Sequence, residues 1–251
     1  MINHKIRPYL LQLAYVIVGL IVLVSISVLS KILGINPTIP TLILFLIGYF
    51  ALAYFLKVSM SLKAYWQLKK IYLLVVGFLA GVIIQGIPVY ITHISALNYE
   101  SSIADIVGPA TLIDIFFTFI IVLWEELWFR NPILNLAQNK KQQILLSIFT
   151  GLLFAALHLM NPKINLLQEG PELLLAGVLL TISYYASRSF WLPLGLHFGN
   201  NILSSLVEKS NLETTGAHTG ISNELVFRWV VLIIAIGITF LYWQREKKKA
   251  V

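Results

Sequence analysis

Eight long stretches of this sequence are almost free of charge, and they restrict its folding more than any other feature. They run roughly over Tyr9–Leu33, Thr38–Leu56, Ile71–Ile94, Thr111–Leu136, Gln143–Met160, Leu173–Ala186, Leu192–Val207 and Leu225–Trp243. About 20 apolar residues wound as a helix match the hydrocarbon thickness of a bilayer. Inside that hydrocarbon every backbone N–H and C=O must be satisfied within the segment, which leaves the helix as the solution for runs of this length. The expected fold is therefore all-α: a polytopic transmembrane helical bundle of about eight spans, forming a single integral membrane domain over residues 1–251.

Composition agrees. Of 251 residues, 58% are hydrophobic and 12% are charged, where soluble domains run near ~45–50% and ~25%. That balance excludes a disordered chain, a disulfide scaffold and the usual nucleic-acid-binding domain, so no nucleic-acid partner is expected despite the net charge of +7. The chain has no cysteine, which excludes a thiol nucleophile, thiolate metal ligands and S-acylation. The first apolar run follows Lys5 and Arg7 and is longer than the core of a cleavable signal, so it reads as an uncleaved first span. The sixth and seventh runs are short and fenced by Pro171 and Pro193, which predicts spans that are tilted, re-entrant or buried against other helices.

The lysines and arginines give a direction. With the N-terminus cytoplasmic, one side holds Lys5, Arg7, Lys57, Lys63, Lys69, Lys70, Lys140, Lys141, Arg188 and the Arg245–Lys249 tail. The other side holds only Lys31, Lys163, Lys209 and Arg228. Basic residues concentrate on the cytoplasmic side of membrane proteins, so an even number of spans with both termini cytoplasmic is expected. The tail follows Tyr242 and Trp243 and reads as an aromatic belt with charges at anionic headgroups, the lipid bilayer being the first partner. Richness in lysine, isoleucine and asparagine, with no organelle signal, points to a bacterial plasma membrane.

An ionisable side chain inside a span costs ~2.5–3.5 kcal/mol or more at mid-bilayer, so each one asks for a function. Apart from Lys31 and His93 at the ends of the first and third runs, the first three hold none. The fourth holds Asp114, Glu125, Glu126 and Arg130, the fifth ends on His158, and the seventh holds His197, Asn200 and Asn201. Glu126 and Arg130 are four residues apart with the acid first, the favourable order for a helical ion pair. Glu125 points ~100° away around the helix, so the same arginine does not readily satisfy it. A carboxyl so placed suits proton transfer near neutral pH; a Glu-Glu-Arg lock between helices fits the same spacing. His197 and Asn201 share a helix face and can aim two N–H donors at one point, as an oxyanion hole does. Helix–helix hydrogen bonding fits them too. Asp114 is nearly in phase with Glu125 and reads as an interfacial acid near its helix start. Counting ~1.5 Å per residue sets Glu125 and His197 nearer the cytoplasmic side and His158 nearer the outside.

Taken in order, Glu125-Glu126-x-x-x-Arg130, Phe154-x-x-x-His158 and His197-x-x-x-Asn201 resemble the three motifs of the CAAX-protease and bacteriocin-processing (Abi) family of intramembrane endopeptidases. The resemblance covers about 111–207, the motif-bearing half. It implies that Glu125 and His158 activate a water, that His197 and Asn201 stabilise the oxyanion, and that Glu126, Arg130 and Phe154 support them. It implies a peptide or protein substrate reached from the membrane or the cytoplasmic side, in CAAX-type processing or in bacteriocin maturation and self-immunity. Metal-free glutamate and zinc mechanisms are both proposed within the family. A zinc site would use Glu125, His158 and His197 with an open position, but no His-Glu-x-x-His helix supports it. Asn201 is a poor zinc ligand and a good oxyanion donor, which favours the metal-free route. Two other classes remain: a catalytically silent membrane binding or immunity protein, and a proton-coupled transporter. The sequence contains no Gly-x-Ser-Gly or Gly-x-Gly-Asp motif, so serine and aspartyl intramembrane proteases fit poorly.

Overall fold

The computed structural model describes residues 67–93, 109–130, 139–158, 165–209 and 223–249, with isolated positions among 10–47 and at 134 and 137. In the continuous described stretches, the 3₁₀ turn Leu68–Lys70 precedes six α-helices: α1 Tyr72–His93, α2 Pro109–Phe129, α3 Lys140–His158, α4 Leu166–Ser187, α5 Trp191–Lys209 and α6 Asn223–Lys249. The described residues contain no strand. Each of the six helices falls on one of the apolar runs from the third to the eighth. The first two runs lie almost wholly outside the described residues. Two helical segments, Leu68–Ile91 and Leu225–Arg245, are long and apolar enough to cross a membrane, and only 22% and 11% of them is buried. Their apolar surface faces outward, unlike that of a soluble core helix.

The chain divides into two compact units. One comprises Met1–Lys63 with Ile120–Leu146, the other Ala64–Phe119 with Ser147–Val251. In the first unit Val122, Leu127, Trp128, Leu134 and Leu146 are buried. The ring of Trp128 lies so close to Gly19 that a Cβ there would stand 2.7 Å from it.

In the second unit α1 and α5 run parallel with their backbones in contact. Gly77 and Gly81 of α1 meet the carbonyls of Leu192 and Leu196, and Gly195 and Gly199 of α5 meet those of Leu74 and Phe78. A Cβ at any of the four would overlap a carbonyl oxygen. Lipid tails are as apolar as leucine, so membrane helices associate by this close packing of small residues rather than by hydrophobic burial.

Both ends of this unit are pinned. At one end Trp191 Nε1 donates to Gln67 O at 3.2 Å, and Lys70 Nζ donates to Ser187 O, a C-terminal carbonyl of α4, at 2.8 Å. Tyr185 stacks on Trp243 near the end of α6. At the other end Arg228 of α6 reaches Glu172 of α4 at 3.4 Å. So α4 and α6 run antiparallel to α1 and α5. Lys69, Lys70, Arg188 and Arg245 gather at the first end, while Glu169, Glu172 and Arg228 gather at the second.

The prolines act differently from the fencing expected of them. Helix α4 begins five residues before Pro171, because Asn165 starts it. The carbonyl of Asn165 accepts from Gln168 and Glu169 N–H at 3.2 and 2.8 Å, and its own N–H donates to Glu169 Oε1 at 3.1 Å. Pro171 then removes one early helical bond. Pro193 stands in the first turn of α5, where its absent N–H would have no helical partner. Both helices are largely buried, as expected for short spans packed against neighbours. Thr181 and Ser183 of α4 are fully buried but give their hydroxyls to Gly177 O and Leu180 O, so their burial leaves no donor unsatisfied.

Candidate active site

Helix α2 carries the acidic motif at its C-terminal end, within the first unit. Arg130 Nη1 and Glu126 Oε1 form the expected i,i+4 ion pair. Both side chains are buried, at 1% and 0% exposure. A charge buried this deeply is tolerated only when a partner of opposite sign is held against it. Glu125, the next residue, is half-buried.

The histidines and asparagines belong to the second unit, where α1, α3, α4, α5 and α6 enclose a cavity of ≈ 240 Å³. His158 comes to it from the last turn of α3, and His197, Asn200 and Asn201 from the first half of α5. Leu173, Leu179, Leu180 and Leu196 give it an apolar wall. The ring of Phe154 lies 4.3 Å from that of His158 and 5.6 Å from that of His197, centroid to centroid. It therefore packs against both imidazoles.

Local bonding fixes how these groups present themselves. His158 Nδ1 lies 2.9 Å from Phe154 O, one turn back on the same helix. A carbonyl oxygen only accepts, so Nδ1 carries the hydrogen, and in the neutral ring the lone pair is on Nε2. Asn200 Nδ2 lies 3.5 Å from Asn201 Oδ1. That weak bond uses the acceptor side of Asn201 and turns its NH₂ to the role of donor. His197 is buried at 4% exposure, so any hydrogen bond it gives inside the cavity is made in a low dielectric and is the stronger for it.

Residue counting put His158 and His197 at different depths, yet they share one cavity. Gly151 and Gly177 meet back to back, with a Cβ on Gly177 falling 2.8 Å from Gly151 Cα. This close approach of α3 to α4 comes just before the turn of α3 that carries Phe154 and His158.

Among the lining residues not singled out as site residues in the sequence are Asn200, Gly81 and Ile84. The signal for Gly81 is there, because Gly77-x-x-x-Gly81 and Gly195-x-x-x-Gly199 have the spacing of paired membrane helices. The second of them brackets His197.

The donor set in the cavity is two imidazoles and two carboxamides. A catalytic zinc ion takes three imidazole, carboxylate or thiolate ligands, and among the described residues no group of three or more His, Cys, Asp or Glu side chains is arranged to hold a metal.

Residues 107–203 match the family model described as type II CAAX prenyl endopeptidase Rce1-like. This segment is similar to that family. The match agrees with the resemblance read from the three motifs. The matched segment runs from before α2 into α5 and takes in Glu125, Glu126, Arg130, Phe154, His158, His197 and Asn201. Helices α1 and α6 lie outside it, although both contribute to the cavity wall through Gly81, Ile84 and Leu232. No curated protein and no solved structure matches the chain.

Proposed function

We propose that the protein is an intramembrane endopeptidase of the CAAX-processing type that works without a metal. The observation that supports this most is the convergence of His158, His197 and Asn201, from two helices, on one apolar-walled cavity. The Rce1-like match of residues 107–203 points the same way.

In the proposed reaction a water is activated by Glu125 and His158, roles that the resemblance of the sequence motifs implies. The water oxygen attacks the peptide carbonyl carbon while its proton passes to the base. The carbonyl oxygen becomes an oxyanion and accepts hydrogen bonds from His197 and the Asn201 NH₂. The accepted proton is then delivered to the leaving nitrogen, the C–N bond breaks, and the carboxylate and amine products part. Each oxyanion donor of this kind is worth roughly 10²–10³ in rate, and the general base roughly 10²–10⁴. The buried Glu126–Arg130 pair supports the fold of α2 rather than the chemistry. The substrate is a peptide or protein segment entering from the membrane or from the side where lysine and arginine gather. A bacterial plasma membrane with both termini cytoplasmic, and a bundle of eight spans, completes the reading.

The test is cleavage of a peptide library by purified protein, with and without a chelator, alongside Glu125→Gln and His158→Ala. Cleavage that withstands the chelator and disappears in both variants, at unchanged expression, is the expected result. Full cleavage by both variants would remove the assigned roles, and cleavage lost to the chelator and restored by zinc would replace the metal-free route.

A further inference from the structure

The basic end of the second unit holds another cavity, of ≈ 530 Å³, between α1, α4, α5 and α6. It shares no lining residue with the cavity of His158 and His197. Lys70 and Arg188 line it, with Tyr72, Tyr185, Tyr242 and Trp243, and no carboxylate does. Lys70 spends one donor on Ser187 O, and an ammonium has three.

Arg188 is the more telling residue. It is exposed and sits at φ 50, just past the end of α4, in the left-handed conformation where glycine is the ordinary occupant. An arginine there is strained where glycine would not be, and the turn gains nothing from its side chain. What it adds is a guanidinium at the mouth of a basic cavity.

The surroundings match a lipid rather than a soluble anion. Tyr72 and Tyr242 are 60% and 54% exposed, as amphipathic rings at headgroup level are. From the cavity, the exposed apolar faces of α1, with Val75, Val76 and Leu79, and of α6, with Ile238 and Leu241, lead towards the middle of the bundle. Basic pockets between membrane helices bind anionic head groups, and guanidinium and ammonium groups recognise phosphate oxygens. We propose that this cavity binds the phosphate of an anionic phospholipid, with the acyl chains lying on α1 and α6. The site rests on the membrane reading of the chain and is independent of the catalytic assignment.

The test uses the full chain, purified in neutral detergent and titrated with phosphatidylglycerol, with phosphatidylcholine of the same acyl chains, or with inorganic phosphate. Bound molecules are counted by native mass spectrometry. Wild type should retain phosphatidylglycerol saturably and in preference to phosphatidylcholine. Arg188→Gly should weaken phosphatidylglycerol about fivefold, the contribution of one basic side chain near a membrane surface. It should leave phosphatidylcholine binding, cleavage and thermal unfolding at wild-type levels, because glycine suits that backbone. Lys141→Gln, an exposed lysine that does not line the cavity, should change nothing. The proposal is overturned by an undiminished phosphatidylglycerol preference in Arg188→Gly, or by equal losses in both variants, which would mean diffuse surface charge. Inorganic phosphate bound as tightly as phosphatidylglycerol would likewise overturn the lipid assignment.

Discussion

Glu126 and Arg130 in the first unit are among the most buried of the described residues and face one another. His158, His197, Asn200 and Asn201 in the second unit surround a void. Both clusters are polar and both lie on helices made of apolar sequence, but they solve different problems. Two opposite charges pressed together neutralise one another. Imidazoles and carboxamides can be neutral and still donate and accept, so they can line a space in low dielectric without the desolvation cost of an ion. A closed ion pair marks architecture, and neutral polar groups around a space mark a place where chemistry can occur.

The strongest way to break this contrast is to open the ion pair. Arg130→Met should cost about 3–5 kcal/mol by removing the arginine from the buried Glu126 carboxylate. The double change Glu126→Met with Arg130→Met should recover most of that loss. Unfolding in detergent measures both, and a double variant as unstable as the single one would show that the pair does more than neutralise itself.

His158→Ala should act in the opposite sense, lowering cleavage by roughly 10²–10⁴ while the unfolding temperature stays near that of wild type. If stability falls and the residual folded fraction still cleaves normally, the second cluster is as architectural as the first. Asn201→Ala should lower kcat by roughly 10²–10³ with KM little changed, because an oxyanion donor acts mainly in the transition state. The smallest effect belongs to the half-exposed pair of Arg228 and Glu172. Glu172→Gln should cost under about 1 kcal/mol and leave cleavage alone, which separates a polar contact at the rim from those around the cavity.

What was legible in the sequence followed from local rules. Hydrophobic run length located the six described helices to within a few residues, apart from the start of α4 and the ends of α2 and α6. Spacing of four within one helix paired Glu126 with Arg130, since neighbours at i,i+4 meet whatever the rest of the fold does. The alternation of lysine and arginine also anticipated which ends of α1, α4, α5 and α6 lie together. The motifs named His158, His197 and Asn201 because unusual residues stand out against an apolar background.

Tertiary structure alone decided the rest. Whether His158 and His197 share a level depends on the stagger between helices, and no residue count within one helix contains that quantity. Gly151 meets Gly177, and Gly77 and Gly81 meet α5, in contacts between residues far apart in sequence. The cavity itself is a property of five helices at once. The role of Arg188 also needed the structure, because a positive φ is a feature of the folded backbone and not of the residue that adopts it. The sequence by itself determined that the chain is helical, apolar and polar in a few chosen places, since those are periodicity and composition. Which of those polar places faces a space is decided by how the helices pack.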